Sequence, residues 1–180
     1  MLDYLSAALA GMFVWTFAEY ALHHWVFHRL KLKTLGRQEH LTHHSQSGYF
    51  TPNHLKFKMS ALGFTVVYLV TRLIIDVAQA EVFTLSLALS YAWYERVHRN
   101  HHTQAPKGWY GAWLRKHHFI HHFHDARVNH GVTTPFWDVV FGTYRSHDTV
   151  KVPRKFAMDW LLDEQGNVKA AYAHDYCTRN

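Results

Sequence analysis

Histidine is the residue type in this chain that could do the most chemistry. Residues 117–124 read HHFIHHFH, which places five histidines within eight positions. Neutral imidazole is a common ligand for transition metals. On an α-helix, His118, His121 and His122 lie at i, i+3 and i+4 and therefore share one face. The His-x-x-His-His spacing recurs from His40 and from His98. The pattern predicts a metal site assembled from several helices.

The composition favours nitrogen ligands over oxygen or sulfur. The 180 residues include 18 histidines against 13 Asp and Glu together, so a carboxylate-bridged helical bundle is poorly supported. The one cysteine, Cys177, excludes a disulfide framework or a cysteine-ligated cluster within the chain.

Positive charge follows the first apolar segment. The formal net charge is +6, and Arg29, Lys31, Lys33 and Arg37 come directly after an apolar run over residues 5–27. Because the Lys and Arg residues lie at the ends of apolar runs, and not along one face, nucleic-acid binding is disfavoured. A membrane is the favoured partner surface, with the basic segment on the cytoplasmic side.

Further apolar runs cover residues 59–75 and 77–94, joined by a short acidic connection that predicts a helical hairpin. We therefore predict an all-α integral membrane protein with about three membrane-embedded helices and a cytoplasmic, histidine-rich helical cap holding a dinuclear metal site. The alternative is a soluble all-α protein in which these helices form the core. Residues 1–150 are predicted as one catalytic domain and 151–180 as a C-terminal tail, with a helical pattern over 157–162.

The histidine spacing over residues 23–28 does not decide which histidine pairs with His28 in binding metal. On a regular helix His24 and His28 lie at i and i+4, whereas His23 and His28 at i and i+5 lie far apart around the axis. His23 could pair with His28 only if the ligands surround the ion or the helix loosens.

Taken together, these motifs resemble the fatty acid hydroxylase and sterol desaturase superfamily. The resemblance rests on the histidine stretches and on the closing segment GVTTPFWDVVFGT at residues 131–143. It covers about residues 19–146 and is strongest toward the fatty acid 2-hydroxylase-like branch. The metal ligands that it implies are His23, His28, His40, His43, His44, His98, His102, His118, His121 and His122.

Other residues are expected to support these ligands or the substrate. His24, His101, His117, His124, Asp125 and His130 are expected to act in a second layer around the ligands. Glu19, Glu95, Asp125 and Asp138 are candidates for holding ligand N–H groups, and Asp138 alternatively braces a turn. A substrate path is expected along Trp109, Tyr110 and Trp113, whose alternative role is anchoring at the membrane interface.

The resemblance implies an O2-dependent di-iron hydroxylase acting on a fatty acyl or sterol-like membrane lipid. About ten imidazoles suit two iron ions better than one, although zinc competes for such sites in purified protein. A separate ferredoxin or cytochrome b5-like protein is expected to deliver electrons, and the chain is expected to form a homo-oligomer. The alternatives are a carotenoid ring hydroxylase, a lipid desaturase or a non-catalytic membrane metal-binding protein.

Overall fold

The computed structural model describes residues 2–180, and most of them are helical. A π-helical segment, Leu22–Arg29, continues directly from α1. Two short strands near the C-terminus form a parallel pair in which Val150 faces Tyr176, an element that the all-α prediction lacked. The helices and strands are α1 Leu2–Ala21, α2 Leu35–Ser45, α3 Asn53–Thr71, α4 Val77–Thr103, α5 Gly108–Phe123, α6 Phe136–Val140, β1 Val150–Pro153 and β2 Tyr176–Arg179.

The predicted helical hairpin is present in α3 and α4. Residues 72–76 connect the two helices, which contact each other. Asp76 caps α4 because its Oδ1 accepts hydrogen bonds from the backbone N–H groups of Ala78 and Gln79. The longest packing interface joins α4 to α1, so α1, α3 and α4 form one helical layer.

This layer exposes an unusual amount of apolar surface. Among the described residues, one helix, Asp3–Arg29, is long and apolar enough to cross a membrane. The number of spans therefore stays a prediction. Exposed apolar side chains on α1, α3 and α4 include Leu9, Phe13, Leu62, Val66, Leu69, Leu85 and Leu89.

One face of α5, opposite the face that carries the histidines, packs against the C-terminal segment. Phe119, Ile120 and Phe123 are buried there, on the side of the helix away from the histidines. The helical pattern expected over residues 157–162 is wrong, because this stretch forms turns whose apolar side chains pack onto α5. The boundary between the catalytic domain and the C-terminal tail at residue 150 stays a prediction. The partners of α5 in this core are Val150, Val152, Met158, Trp160, Leu161 and Tyr176.

Candidate metal centre

The structure gathers ten histidines into two groups of five. Within each group, one ring nitrogen per histidine lies within 4.8 Å of every other. Group A draws on the π-helical segment, α2 and α5, whereas group B draws on α2, α4 and α5. These are the ten residues that the family resemblance implies as ligands. Group A is His23, His28, His40, His44 and His121, and group B is His43, His98, His102, His118 and His122.

The π-helical segment explains why His23, and not His24, joins group A. A π-helix makes i to i+5 hydrogen bonds, so residues five apart come closer around the axis than on an α-helix. The rings of His23 and His28 accordingly have centroids 5.2 Å apart. The preference of simple α-helical spacing for His24 is therefore wrong, because the helix loosens at this point.

Hydrogen bonds to backbone carbonyls fix the protonation of two rings in group A. His23 Nδ1 lies 2.5 Å from the carbonyl oxygen of His130, and His121 Nδ1 lies 2.7 Å from that of Val128. A carbonyl oxygen only accepts, so each Nδ1 carries the proton and each neutral ring presents a bare lone pair at Nε2. Yet the two Nε2 atoms are 2.9 Å apart. Two lone pairs facing each other at that distance repel, and a bound cation between such atoms removes the conflict.

Group B also presents unprotonated or unpartnered ring nitrogens that suit a bound cation. His43 Nδ1 donates to the carbonyl oxygen of Tyr49 over 2.7 Å, which leaves its Nε2 as an acceptor. That Nε2, His98 Nε2 and both ring nitrogens of His122 are buried without a hydrogen-bond partner in the described part of the chain. Buried polar atoms normally have partners, so these orphaned nitrogens fit a metal ligand set.

The two groups adjoin each other. The rings of His44 in group A and His122 in group B stack with their centroids 4.1 Å apart. Neighbours on α2 and on α5 serve different groups, since His43 and His122 belong to group B while His44 and His121 belong to group A. Two adjacent metal ions therefore fit the arrangement.

Burial keeps these imidazoles neutral. It lowers the pKa of His43 to about 4 and that of His44 to about 2. For His118, His121 and His122, burial and then the neighbouring histidines hold the pKa well below its usual range. Neutral imidazole is the form that binds metal.

The closing segment at residues 131–143 positions the carbonyl that holds His23. Asp138 accepts hydrogen bonds from the backbone N–H groups of His130 and Gly131, both over 2.8 Å, and from the Thr143 hydroxyl over 2.7 Å. Gly131 is required because a Cβ there would overlap the carbonyl oxygen of Thr134. The segment is thus a bracket around Asp138, which agrees with the predicted bracing of a turn.

Glu19 on α1 ties the same segment to the helical layer. Its Oε1 accepts from the backbone N–H groups of Val132 and Thr133 over 2.6 and 2.7 Å. Across the described residues, no carboxylate contacts a ring nitrogen of group A or group B. Sequence reasoning therefore missed that backbone carbonyls hold the ligand rings, and no side-chain motif could have revealed them.

Two of the six residues expected around the ligands, His101 and His130, contact ligand rings directly, and His24 and His117 contact His130 and Asp138 behind them. His24 Nδ1 is 3.2 Å from His130 Nε2, and His101 Nε2 donates to the Val132 carbonyl over 3.3 Å. His117 donates to Asp138 over 3.1 Å. The other two lie elsewhere: His124 accepts from the Lys151 backbone N–H, and Asp125 pairs with Arg127 at the surface.

An apolar cavity of about 520 Å³ runs from the two groups between α1, α3 and α4. His40 of group A and His43 and His98 of group B line one part of it. The expected substrate-path residues Trp109, Tyr110 and Trp113 lie outside its lining, and Trp109 is 81% exposed. Its apolar wall includes Val14, Trp15, Leu22, Val26, Met59, Phe64, Val67 and Leu87.

Fold and site together define a helical protein with two adjoining, histidine-only candidate metal sites beside an apolar cavity. The family model described as fatty acid hydroxylase matches residues 8–143. The chain belongs to the fatty acid hydroxylase family, as its motifs predicted.

Individual relatives agree with this assignment. The chain is 30% identical over 157 residues to the dihydroceramide fatty acyl 2-hydroxylase FAH1 of Arabidopsis thaliana, a match covering 85% of this chain and 65% of that protein. It is 29% identical over 146 residues to the ceramide very long chain fatty acid hydroxylase SCS7 of Saccharomyces cerevisiae, covering 77% of this chain and 38% of the relative. This chain therefore spans less than two thirds of either relative.

A solved structure is similar as well. It is full-length Scs7p with only its hydroxylase domain visible, and it superposes with a TM-score of 0.63 at 27% sequence identity. The match covers 79% of this chain and 57% of that one.

Proposed function

We propose that this protein is an O2-dependent hydroxylase that inserts a hydroxyl group into a C–H bond of a membrane acyl lipid. One observation carries the proposal: ten buried or half-buried imidazoles form two adjoining groups at an apolar cavity, in a member of the fatty acid hydroxylase family. The overall reaction consumes the lipid, O2, two electrons and two protons, and it yields the hydroxylated lipid and water.

Two iron ions are the proposed cofactors, one for each group of five histidines. Bound iron would supply the reduction of O2 and the attack on an unactivated C–H bond. Five nitrogen donors exceed the four that structural zinc usually takes, which favours iron, although zinc can replace it during purification.

The chain's own residues orient the ligands and the substrate. The carbonyls of His130, Val128 and Tyr49 hold the Nδ1 protons of His23, His121 and His43, so that each ring turns its lone pair toward its group. The cavity holds the lipid chain against His40, His43 and His98 and keeps water from that end of the site. We place this work in a catalytic domain spanning residues 1–150, with residues 151–180 supporting the outer face of α5.

The location of the enzyme and its electron donor are part of the same proposal. We propose a multi-pass membrane protein whose histidine groups face the cytoplasm, where a separate ferredoxin or cytochrome b5-like protein delivers electrons. The exposed apolar side chains of α1, α3 and α4 support the membrane location. Lipid from the bilayer can then enter the cavity sideways between these helices.

The first test measures metal content and lipid products together. Detergent-purified protein is expected to bind two irons per chain, and cells expressing the gene are expected to contain a hydroxylated acyl lipid that control cells lack. A metal chelator should abolish the activity, and added ferrous iron should restore it. One tightly bound zinc with unchanged cellular lipids would instead indicate a non-catalytic metal-binding protein.

A matched pair of variants tests the ligand set. His121→Ala removes a histidine that lies within 3.1 Å of three others through its Nε2, and His124→Ala removes one near the end of the same helix that contacts neither group. Loss of a residue that merely orients a ligand costs about 10- to 100-fold, so loss of His121 should reduce activity by at least about 100-fold. Metal content should fall in His121→Ala and stay unchanged in His124→Ala. Equal metal content in both variants would contradict the assignment.

A further inference from the structure

A loop of alternating basic and apolar residues follows the π-helical segment directly. Residues 29–33 read RLKLK. Lys31 and Lys33 are exposed, and neither forms an ion pair anywhere in residues 2–180. Leu30 and Leu32, which alternate with them, are 47% and 50% exposed. Exposed leucines beside unpaired cations suit a surface that offers both acyl chains and negative charge.

The charge of this region is almost entirely positive. Residues 28–58 contain six Lys and Arg and one acidic residue, Glu39, whose carboxylate accepts a hydrogen bond from the Tyr49 hydroxyl. Lys56 pairs with Glu95 on α4. The exposed cations of the region have no carboxylate partner among the described residues. We call them the basic rim, which consists of Arg29, Lys31, Lys33 and Lys58.

The basic rim borders the apolar cavity. Thr34 and Gly36, at the end of the loop, line the cavity. Met59 on α3 also lines it and lies over Gly36, which places the neighbouring Lys58 at the same edge. At its other end, the loop directly follows His28 of group A. A lipid headgroup bound by the rim therefore lies beside the histidine end of the cavity.

We propose that the basic rim binds the phosphate groups of anionic phospholipids in the cytoplasmic leaflet. Leu30, Leu32 and Leu35 insert among the acyl chains beneath these headgroups, while the Lys31 and Lys33 ammonium groups donate to phosphate oxygens. This inference rests on the membrane location proposed above and adds a lipid partner that is distinct from the substrate. The rim favours phosphatidylglycerol over phosphatidylcholine, because the choline cation repels the same side chains.

An acidic protein is the other partner that four unpaired cations could bind. Two features favour the lipid. The candidate membrane span Asp3–Arg29 ends at the first residue of the rim, so the loop leaves a bilayer within its headgroup layer. Leucines also alternate with the cations one by one, and a purely charged protein contact has no use for them. The lipid surface therefore fits both kinds of side chain.

The test compares two lipids on the whole chain, purified in detergent and loaded with metal. Native mass spectrometry measures the affinities for phosphatidylglycerol and for phosphatidylcholine with the same acyl chains. The unaltered protein should prefer phosphatidylglycerol, and Lys31→Gln/Lys33→Gln should reduce that preference about 25-fold, at about fivefold for each lysine near an anionic surface. Equal affinities for the two lipids in the unaltered protein overturn the inference.

A matched variant controls for the loss of charge alone. Lys151→Gln/Lys155→Gln removes two exposed lysines from the C-terminal segment and should keep the preference for phosphatidylglycerol. Both double variants alter exposed side chains only, so their metal content should equal that of the unaltered protein. Equal loss of the lipid preference in both variants, or no loss in Lys31→Gln/Lys33→Gln, contradicts a specific role for the rim.

A measurement in bilayers locates the lipid at the loop. In a Cys177→Ser background, Leu32→Cys carries a fluorophore, and the protein is placed in phosphatidylcholine nanodiscs that contain an equal share of brominated phosphatidylglycerol or brominated phosphatidylcholine. Bromine quenches fluorescence on contact, so the brominated phosphatidylglycerol should quench more strongly. Added salt should diminish the difference, because it screens exposed charges. Equal quenching by the two lipids overturns the inference.

Two further outcomes separate this inference from its rival and from the proposed function. Slower reduction by a ferredoxin in Lys31→Gln/Lys33→Gln, with an unchanged lipid preference, would assign the rim to an acidic protein and overturn the inference. The lipid measurements need no turnover. Absence of any hydroxylated product with the unaltered, iron-loaded protein would therefore count against the proposed function alone.

Discussion

At the scale of single residues, Asp138 holds together the bracket that positions the His130 carbonyl oxygen, which orients the His23 ring. Asp138→Asn places a donor where four donors converge, so the His130 carbonyl should lose its fixed position. We expect a 10- to 100-fold loss of metal affinity, the usual cost of losing a partner that orients a ligand. Metal titration of the purified variant measures it. Asp125→Asn, at the surface pair with Arg127, serves as the control and should bind metal normally; equal losses in both variants would show that Asp138 has no special part in the site.

The buried histidines make the protein sensitive to acid. Burial lowers the pKa of His43 to about 4 and that of His101 to about 3, whereas an imidazole in the unfolded chain takes up a proton near pH 6.5. Between about pH 6.5 and 4 the unfolded chain therefore binds more protons than the folded one, and the free energy of unfolding falls as the pH falls. Above about pH 7 these groups are neutral in both states, so stability should be flat.

Denaturant unfolding and metal analysis across this range check the expectation. Metal-free protein should lose stability steeply below about pH 6.5, and metal-loaded protein should keep its stability to a lower pH, because the ions bind the neutral ligands of the folded state. Stability that stays constant from about pH 7 to 5 would contradict the neutral state assigned to these rings.

At the scale of elements, α1 and α4 approach so closely that only glycine fits at residue 11. A Cβ there would overlap Ser86 Oγ and the carbonyl oxygen of Phe83 on α4, whereas a Cβ at Gly63 on α3 meets no atom within 4 Å. Gly11→Ala should therefore destabilise the protein by about 1 to 3 kcal/mol, the usual cost of overpacking. Gly63→Ala is the control and should leave the melting temperature unchanged or raise it. Equal melting temperatures for Gly11→Ala and the unaltered protein would show that the two helices separate easily.

At the scale of the whole molecule, the proposed topology puts the histidine groups and the α3–α4 connection on opposite sides of a membrane. Cys177, the one cysteine in the sequence, lies on β2 beside α5 and should be shielded from a membrane-impermeant thiol reagent added to intact cells. In a Cys177→Ser background, Leu73→Cys should react, since Leu73 lies in the connection and is 84% exposed. Permeabilised cells should label both. Labelling of Cys177 in intact cells would reverse the topology.

Sequence alone identified the family and the ten histidines that gather in the candidate metal centre. Which histidines share a helix face depends only on local helix geometry, so the histidine faces of α2, α4 and α5 could be predicted from residues 40–44, 98–102 and 118–122. The closing segment at residues 131–143 was recognisable from its resemblance to the family, and the structure shows that Gly131 and Asp138 form a local bracket there. The helical hairpin of α3 and α4 likewise followed from apolar runs and a short acidic connection.

Tertiary structure decided how these local patterns combine. His23 and His121 are 98 positions apart in sequence, yet their Nε2 atoms lie 2.9 Å apart, a contact that no single-helix pattern contains. The loosened helix over Leu22–Arg29 selected His23 over His24, and backbone carbonyls fixed the ligand rings. The cavity arises only where α1, α3 and α4 meet. Sequence periodicity reports one face of one element, whereas a site depends on which faces of several elements meet.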